Sequence, residues 1–179
     1  MLIALSVVVF GLMLVEARRA RRNERAQRTR GGVEPPDDVY KTMRIAYPAA
    51  FLAMIAEAQV GGAPPRDVAL AGIALFAAAK ALKWWAILTL GPFWTFRVIV
   101  VPGASLVAKG PYQYLRHPNY VGVMGELAAV ALMTGARFTG PIVTLVFGLI
   151  ILRRVAVEEK ALSAILAPIH TPAAPPRNR

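Results

Sequence analysis

Cysteine is absent from the 179 residues, and there are only two histidines, His117 and His170. The first absence excludes disulfide frameworks, thiolate chemistry and cysteine-based zinc sites. The second speaks against a histidine-rich metal site, so no metal is expected. Acids are also scarce, 10 Asp and Glu against 21 Lys and Arg, giving a net charge of +11. No G-x-G-x-x-G follows a strand-like stretch, and no G-x-x-x-x-G-K-[ST], G-x-S-x-G or H-E-x-x-H occurs. Soluble nucleotide-binding enzymes of the Rossmann or P-loop type and the common hydrolase motifs are therefore unsupported.

What the chain has in abundance is apolar sequence. The apolar share is 56% and the mean hydropathy is +0.50, which points to an integral membrane protein. Met1 to Val15 reads as a first membrane helix continuing through Glu16 and Ala17. It lacks a basic n-region and an A-x-A-like cleavage site, so it is expected to be retained. Glu16 to Arg44 is a basic arm, read as a helical extension and then a flexible turn at Gly31-Gly32 and Pro35-Pro36. Ile45 to Val60, Val68 to Leu90, Tyr120 to Thr134 and Phe138 to Leu152 read as four further spans. Gly61 to Pro65 turns the second into the third. Gly135-Ala136-Arg137 makes the last two an antiparallel hairpin. Lys80 and Lys83 are expected to snorkel to the interface, beside an aromatic belt of Trp84 and Trp85. Within Gly91 to Asn119, Thr95 to Val100 reads as a short extended piece followed by a Pro102-Gly103 turn. The tail from Pro168 is Pro-rich and expected to be disordered. Three regions follow: 1–44, 45–90 and a catalytic region 91–179. The fold class is an all-α membrane bundle of about five spans with a cytoplasmic cofactor pocket.

The charges support that layout. Nine Lys and Arg lie between the first two spans, five in the inner end of the third span and the loop that follows it, and five after the fifth. The two opposite loops hold only Arg66 and Arg137, so 19 of 21 fall on one side. By the positive-inside rule that side is cytoplasmic and the N-terminus points out, as in a bacterial inner membrane. The basic arm is expected to meet anionic lipid; without interleaved aromatics, nucleic acid is not a partner.

The stretch from Lys109 to Gly122, K-G-P-Y-Q-Y-L-R-H-P-N-Y-V-G, is too rich in chemistry for a plain connection. It reads as the wall of a small-molecule site. Asn119, Gly122 and Glu126 share a face at i, i+3 and i+7. An acid that far into a span is a functional candidate; the plain alternative is a pairing with Arg116 or Lys109. Arg154, Glu158 and Glu159 leave the fifth span on the same side. They form either an exposed i, i+4 ion pair or the other half of the site.

Gly110-Pro111-Tyr112, Arg116-His117-Pro118-Asn119-Tyr120-x-Gly122, Glu126 and Arg154-Val155-x-x-Glu158-Glu159-x-x-Leu162 together resemble the isoprenylcysteine carboxyl methyltransferase family, over about Trp84 to Leu162. The resemblance implies an S-adenosylmethionine-dependent O-methyltransferase. It implies a cytoplasmic cofactor pocket and a lipophilic small-molecule or lipidated acceptor entering from the bilayer. Gly110, Tyr112, His117, Pro118, Tyr120, Glu126, Glu158 and Glu159 would bind the cofactor, and Arg154, Glu158 and Arg116 would serve the reaction. After Leu162 the tail departs from the family's aromatic-rich continuation. Trp94-Thr95-x-Arg97-Val98-Ile99 looks closer to relatives acting on alkylated polyketides. The alternatives are an NADPH-dependent membrane reductase of the sterol-reductase type and a non-catalytic scaffold.

Overall fold

A computed structural model describes residues 2–36 and 38–166. Five helices account for most of them: α1 (Leu2–Arg28), α2 (Tyr40–Gly61), α3 (Arg66–Leu90), α4 (Pro118–Thr134) and α5 (Thr139–Leu166). Single 3-10 turns at Gly91–Phe93 and Gly110–Gln113 punctuate the long connection between α3 and α4. Among the described residues there is no strand, only an isolated antiparallel bridge between Val33 and Val100. The proline-rich tail expected to be disordered lies outside the described residues.

All five helices feed one apolar core. Leu5 and Val9 of α1, Phe51 and Met54 of α2, Phe76 of α3, Leu127 and Val130 of α4 and Phe147 of α5 meet in it. The opposite faces are apolar too: Ile142, Leu145, Leu149 and Leu152 of α5 are each more than half exposed. Contiguous exposed apolar surface of this kind belongs against lipid. Two segments are long and apolar enough to cross a membrane, Arg66–Phe93 and Thr139–Ala164.

α3 and α4 approach backbone to backbone because glycine lines their seam. A Cβ on Gly125 would stand 2.9 Å from Ala79 Cβ, and one on Gly72 would stand 2.9 Å from the Ala129 carbonyl oxygen. Small residues are how helices gain contact where lipid supplies no hydrophobic drive between them. At the far end, Gly135 closes α4 in the left-handed conformation, φ 67°. Glu57 of α2 then caps α5 from outside, accepting from the amides of Phe138 (3.0 Å) and Thr139 (2.7 Å).

The lysines correct the sequence reading. Lys80 and Lys83 do not snorkel; they are 8% and 2% exposed. Lys80 Nζ lies 2.9 Å from Glu16 and 3.0 Å from Glu126, and Lys83 Nζ 2.7 Å and 3.2 Å from the same pair. Tyr47 of α2 donates its hydroxyl to Glu126 at 2.5 Å. Glu126 therefore pairs with neither Arg116 nor Lys109. The reason is geometric: Glu16 arrives from α1 at the same depth, and two acids against two lysines neutralise one another out of water.

The basic arm is also more ordered than expected. α1 runs unbroken through Arg28, and Asn23 and Gln27 donate to the carbonyls of Gly91, Trp94 and Pro92. Past Gly31 the chain is pinned, not flexible. Val33 exchanges both backbone hydrogen bonds with Val100 at 2.8 and 2.9 Å. Glu34 bridges Arg28 at 2.6 Å and Arg97 at 2.5 Å.

Removing one member of the buried quartet leaves an uncompensated charge, which costs about 3–5 kcal/mol. Glu16→Ala should therefore lower the thermal midpoint in detergent markedly. Removing charges in pairs, Glu16→Met with Lys80→Met, should recover most of the loss. Equal midpoints for the single variant and the parent would show that the quartet carries no stability.

Candidate active site

Where α4 begins and α5 continues past the apolar layer, the helices and the 94–108 loop enclose a cavity of about 1020 Å³. The local sequence explains its walls. Pro111 opens the short 3-10 turn, and Gly110 before it has φ 59°. A Cβ on Gly110 would meet Thr89 Oγ1 at 2.6 Å, so only glycine lets this turn pack on the end of α3. Pro118 takes the first position of α4, where a missing N–H is harmless. The His117 carbonyl accepts from the amides of Tyr120 (3.1 Å) and Val121 (3.3 Å). This start aims His117, Asn119 and Tyr120 into the cavity, opposite Arg154, Glu158 and Glu159 of α5.

The polar groups form one connected chain. Tyr120 donates its hydroxyl to Glu158 Oε2 at 2.7 Å and accepts from Arg154 Nε at 2.8 Å. The His117 ring stacks on the Tyr120 ring, centroids 5.6 Å apart and 26° from parallel. His117 Nε2 lies 3.4 Å from Glu159 Oε1, and its Nδ1 4.0 Å from Glu158. Arg154 and Glu158 do not form the exposed i, i+4 pair; both are bonded to the Tyr120 hydroxyl, because Arg154 points inward and is 4% exposed. Burial, and then the nearby Glu158 carboxylate, push the Tyr112 phenol well above its ordinary value. The Tyr112 phenol is therefore held in its protonated form.

The structure thus brings together Tyr112, His117, Tyr120, Arg154, Glu158 and Glu159. Gly110 and Pro118 shape the wall without facing the cavity. Arg116 lines its rim, with a side chain 89% exposed and 3.6 Å from Glu159. Glu126 is elsewhere, in the ion quartet deeper between the helices.

Three interactions were missed from sequence. Asp38 pairs with Arg154. The Phe96 carbonyl accepts from Arg154 Nη2 at 2.5 Å. Trp94 donates to Asn119 Oδ1 at 3.2 Å and fixes the loop against α4. A signal for Asp38 existed: a buried arginine needs a counter-charge, and few acids are available.

Comparison with known proteins is consistent in its placement. The family model for the isoprenylcysteine carboxyl methyltransferase (ICMT) family matches residues 72–164. Two relatives extend the likeness toward the N-terminus. The chain is 31% identical over 143 residues to the uncharacterized protein YpbQ of Bacillus subtilis, covering 80% of this chain and 85% of that one. It is 27% identical over 143 residues to an uncharacterized protein of Haemophilus influenzae, covering 79% and 83%. No solved structure matches significantly. The matched segment, from within α3 to near the end of α5, carries the cavity's histidine, tyrosines, arginine and glutamate pair, and the chain belongs to the isoprenylcysteine carboxyl methyltransferase family of membrane methyltransferases.

Proposed function

We propose that the chain is an integral membrane S-adenosylmethionine-dependent O-methyltransferase of five spans. In this reading the N-terminus lies outside, the cavity faces the cytoplasm, and a lipophilic acceptor enters from the bilayer of a bacterial inner membrane. The observation that carries it is the convergence of His117, Tyr120, Glu158 and Glu159 on one cavity of about 1020 Å³. That volume lies at the upper end of the range for small-molecule sites.

The donor set suits the cofactor. Tyr112 and Tyr120 offer aromatic faces, which attract a cation. Glu158 and Glu159 offer acceptors for hydroxyl and amino groups, and the rim cations Arg116 and Lys160 suit a carboxylate. When bound, S-adenosylmethionine supplies an electrophilic methyl group on a positively charged sulfur. The chain's own work is then alignment and exclusion of water. Packing of α4 on α3 through glycine keeps that wall rigid, and the Arg154–Tyr120–Glu158 bonds fix the wall's polar groups.

The same bonds bear on the acceptor. Arg154 donates to Asp38, Tyr120 and the Phe96 carbonyl, so its fork is already engaged and does not grip an incoming carboxylate bidentately. This favours an acceptor hydroxyl, such as that of an alkylated polyketide, over an isoprenylcysteine carboxylate. A hydroxyl loses a proton on methylation, and His117, facing the cavity beside Glu159, is the group placed to accept it.

The deciding experiment is a thermal-shift titration of the purified chain against S-adenosylhomocysteine and NADPH. Stabilisation by the first alone is expected. Stabilisation by NADPH alone would mark a reductase, and by neither a scaffold. Two variants refine the site. Glu159→Gln, at a side chain 48% exposed, should weaken S-adenosylhomocysteine binding measured by calorimetry while shifting the midpoint by no more than a few degrees. Arg154→Ala should lose both binding and stability, because it strands buried Asp38 at a cost of about 3–5 kcal/mol. An Arg154→Ala protein as stable as the parent would show that the Asp38 pairing contributes nothing.

A further inference from the structure

Asp38 sits between α1 and α2, outside the segment that the family model matches. Its side chain is 5% exposed. One carboxylate oxygen accepts from Arg154 Nη1 and from the Tyr40 amide at 3.0 Å. The other accepts from the Val98 amide at 2.9 Å. A single carboxylate thus ties the start of α2, the cavity loop and α5 together.

The consequence runs through Arg154. An arginine has only donors, so at Tyr120 the phenol oxygen must be the acceptor. The hydroxyl hydrogen is then directed away from Arg154, and it goes to Glu158 at 2.7 Å. Reversing that hydrogen would set two donors against each other. Asp38 holds one arm of Arg154 and the Phe96 carbonyl holds another, so the direction is fixed from the far side of the arginine.

We propose that Asp38 is a positioning residue of the cavity. By holding Arg154 it sets the donor direction of the Tyr120 hydroxyl and, through it, the seat of the Glu158 carboxylate. The inference rests on the methyltransferase reading for the role of Glu158 toward the cofactor. It brings into the site a residue from the N-terminal part of the chain. The connection around Asp38 has independent anchors in the Val33–Val100 bridge and the Glu34–Arg97 pair. The carboxylate's charge can therefore be removed without releasing the whole segment.

The test is calorimetric titration of the full chain in detergent with S-adenosylhomocysteine, for the parent, Asp38→Asn, Tyr120→Phe and the double variant. Asp38→Asn should weaken binding about tenfold. In the Tyr120→Phe background the same change should cost less than about twofold, because residues acting through one network are not additive. A role confined to folding predicts equal losses in both backgrounds, and that result overturns the proposal. So does an Asp38→Asn variant that binds like the parent. Should Asp38→Asn not elute as a single species, Asp38→Glu takes its place with the same expectations, since a longer carboxylate displaces Arg154. A parent that binds no S-adenosylhomocysteine overturns the methyltransferase reading and this inference together. A parent that binds while Asp38→Asn binds equally overturns the inference alone.

Discussion

Two lysines and two glutamates, closed off from water between helices, set the constraints on this structure. Each lysine nitrogen lies within 3.2 Å of both carboxylates. Taken singly, any of these charges would be costly between apolar helices; together they sum to zero. The quartet draws Glu16 from α1, the lysines from α3 and Glu126 from α4, and Tyr47 adds α2 through its hydroxyl. Tyr47 in turn packs its ring on Phe147 of α5, centroids 5.2 Å apart. A shift of any of these helices by one residue moves a side chain about 1.5 Å along and 100° around its axis, which breaks the pairing. The charges therefore specify register where apolar packing alone would tolerate sliding.

The cavity repeats that logic nearer the surface. Asp38, Arg154, Tyr120 and Glu158 form a second, partly buried chain that joins the α1–α2 connection to α4 and α5. The two clusters are linked through α4. Gly122 lies between Tyr120 and Glu126, and a Cβ there would stand 2.9 Å from Lys83 Cβ. The contact that seats α4 on the lysine helix thus also sets the depth of Tyr120. Asn119, one residue earlier, receives Trp94 and closes the loop over the same wall. The cavity's geometry is a consequence of the helix register fixed below it.

Much of this was legible in the sequence because apolar runs, glycine turns and the R-H-P-x-Y and R-x-x-x-E-E elements are local patterns. The five helices, the Gly135 hairpin and the pairing of His117 and Tyr120 with the glutamates all follow from such patterns. What was not legible depends on distance through space. Lys80 and Lys83 look like interfacial lysines because nothing near them in sequence is acidic; their partners are 64 and 43 residues away. Asp38 looks like a loop acid because its partner lies 116 residues on. Glu57 looks like a span-end acid, yet it caps a helix 82 residues later. Scarcity was the overlooked clue. In a chain with 10 acids and 21 basic residues, an acid adjoining an apolar helix is more informative than any of the arginines.

Internal pairing also separates the cations that bear on topology from those that bear on packing. The positive-inside rule counts cations free to meet the lipid surface or to resist translocation. Lys80, Lys83 and Arg154 are neutralised by internal carboxylates, so they bear on packing and not on orientation. Setting them aside leaves sixteen Lys and Arg on the cavity's side of the proposed five-span layout against Arg66 and Arg137 on the other. Seven of the sixteen are arginines between Arg18 and Arg30, six of them on the part of α1 that projects beyond Glu16. The same extension carries Asn23 and Gln27, which hold the 91–94 turn beneath the cavity. One helix therefore supplies both the strongest orientation signal and part of the scaffold of the site. In the proposed topology this keeps the cavity loop on the same side as the arginines, because the two cannot be placed at opposite surfaces without breaking those hydrogen bonds.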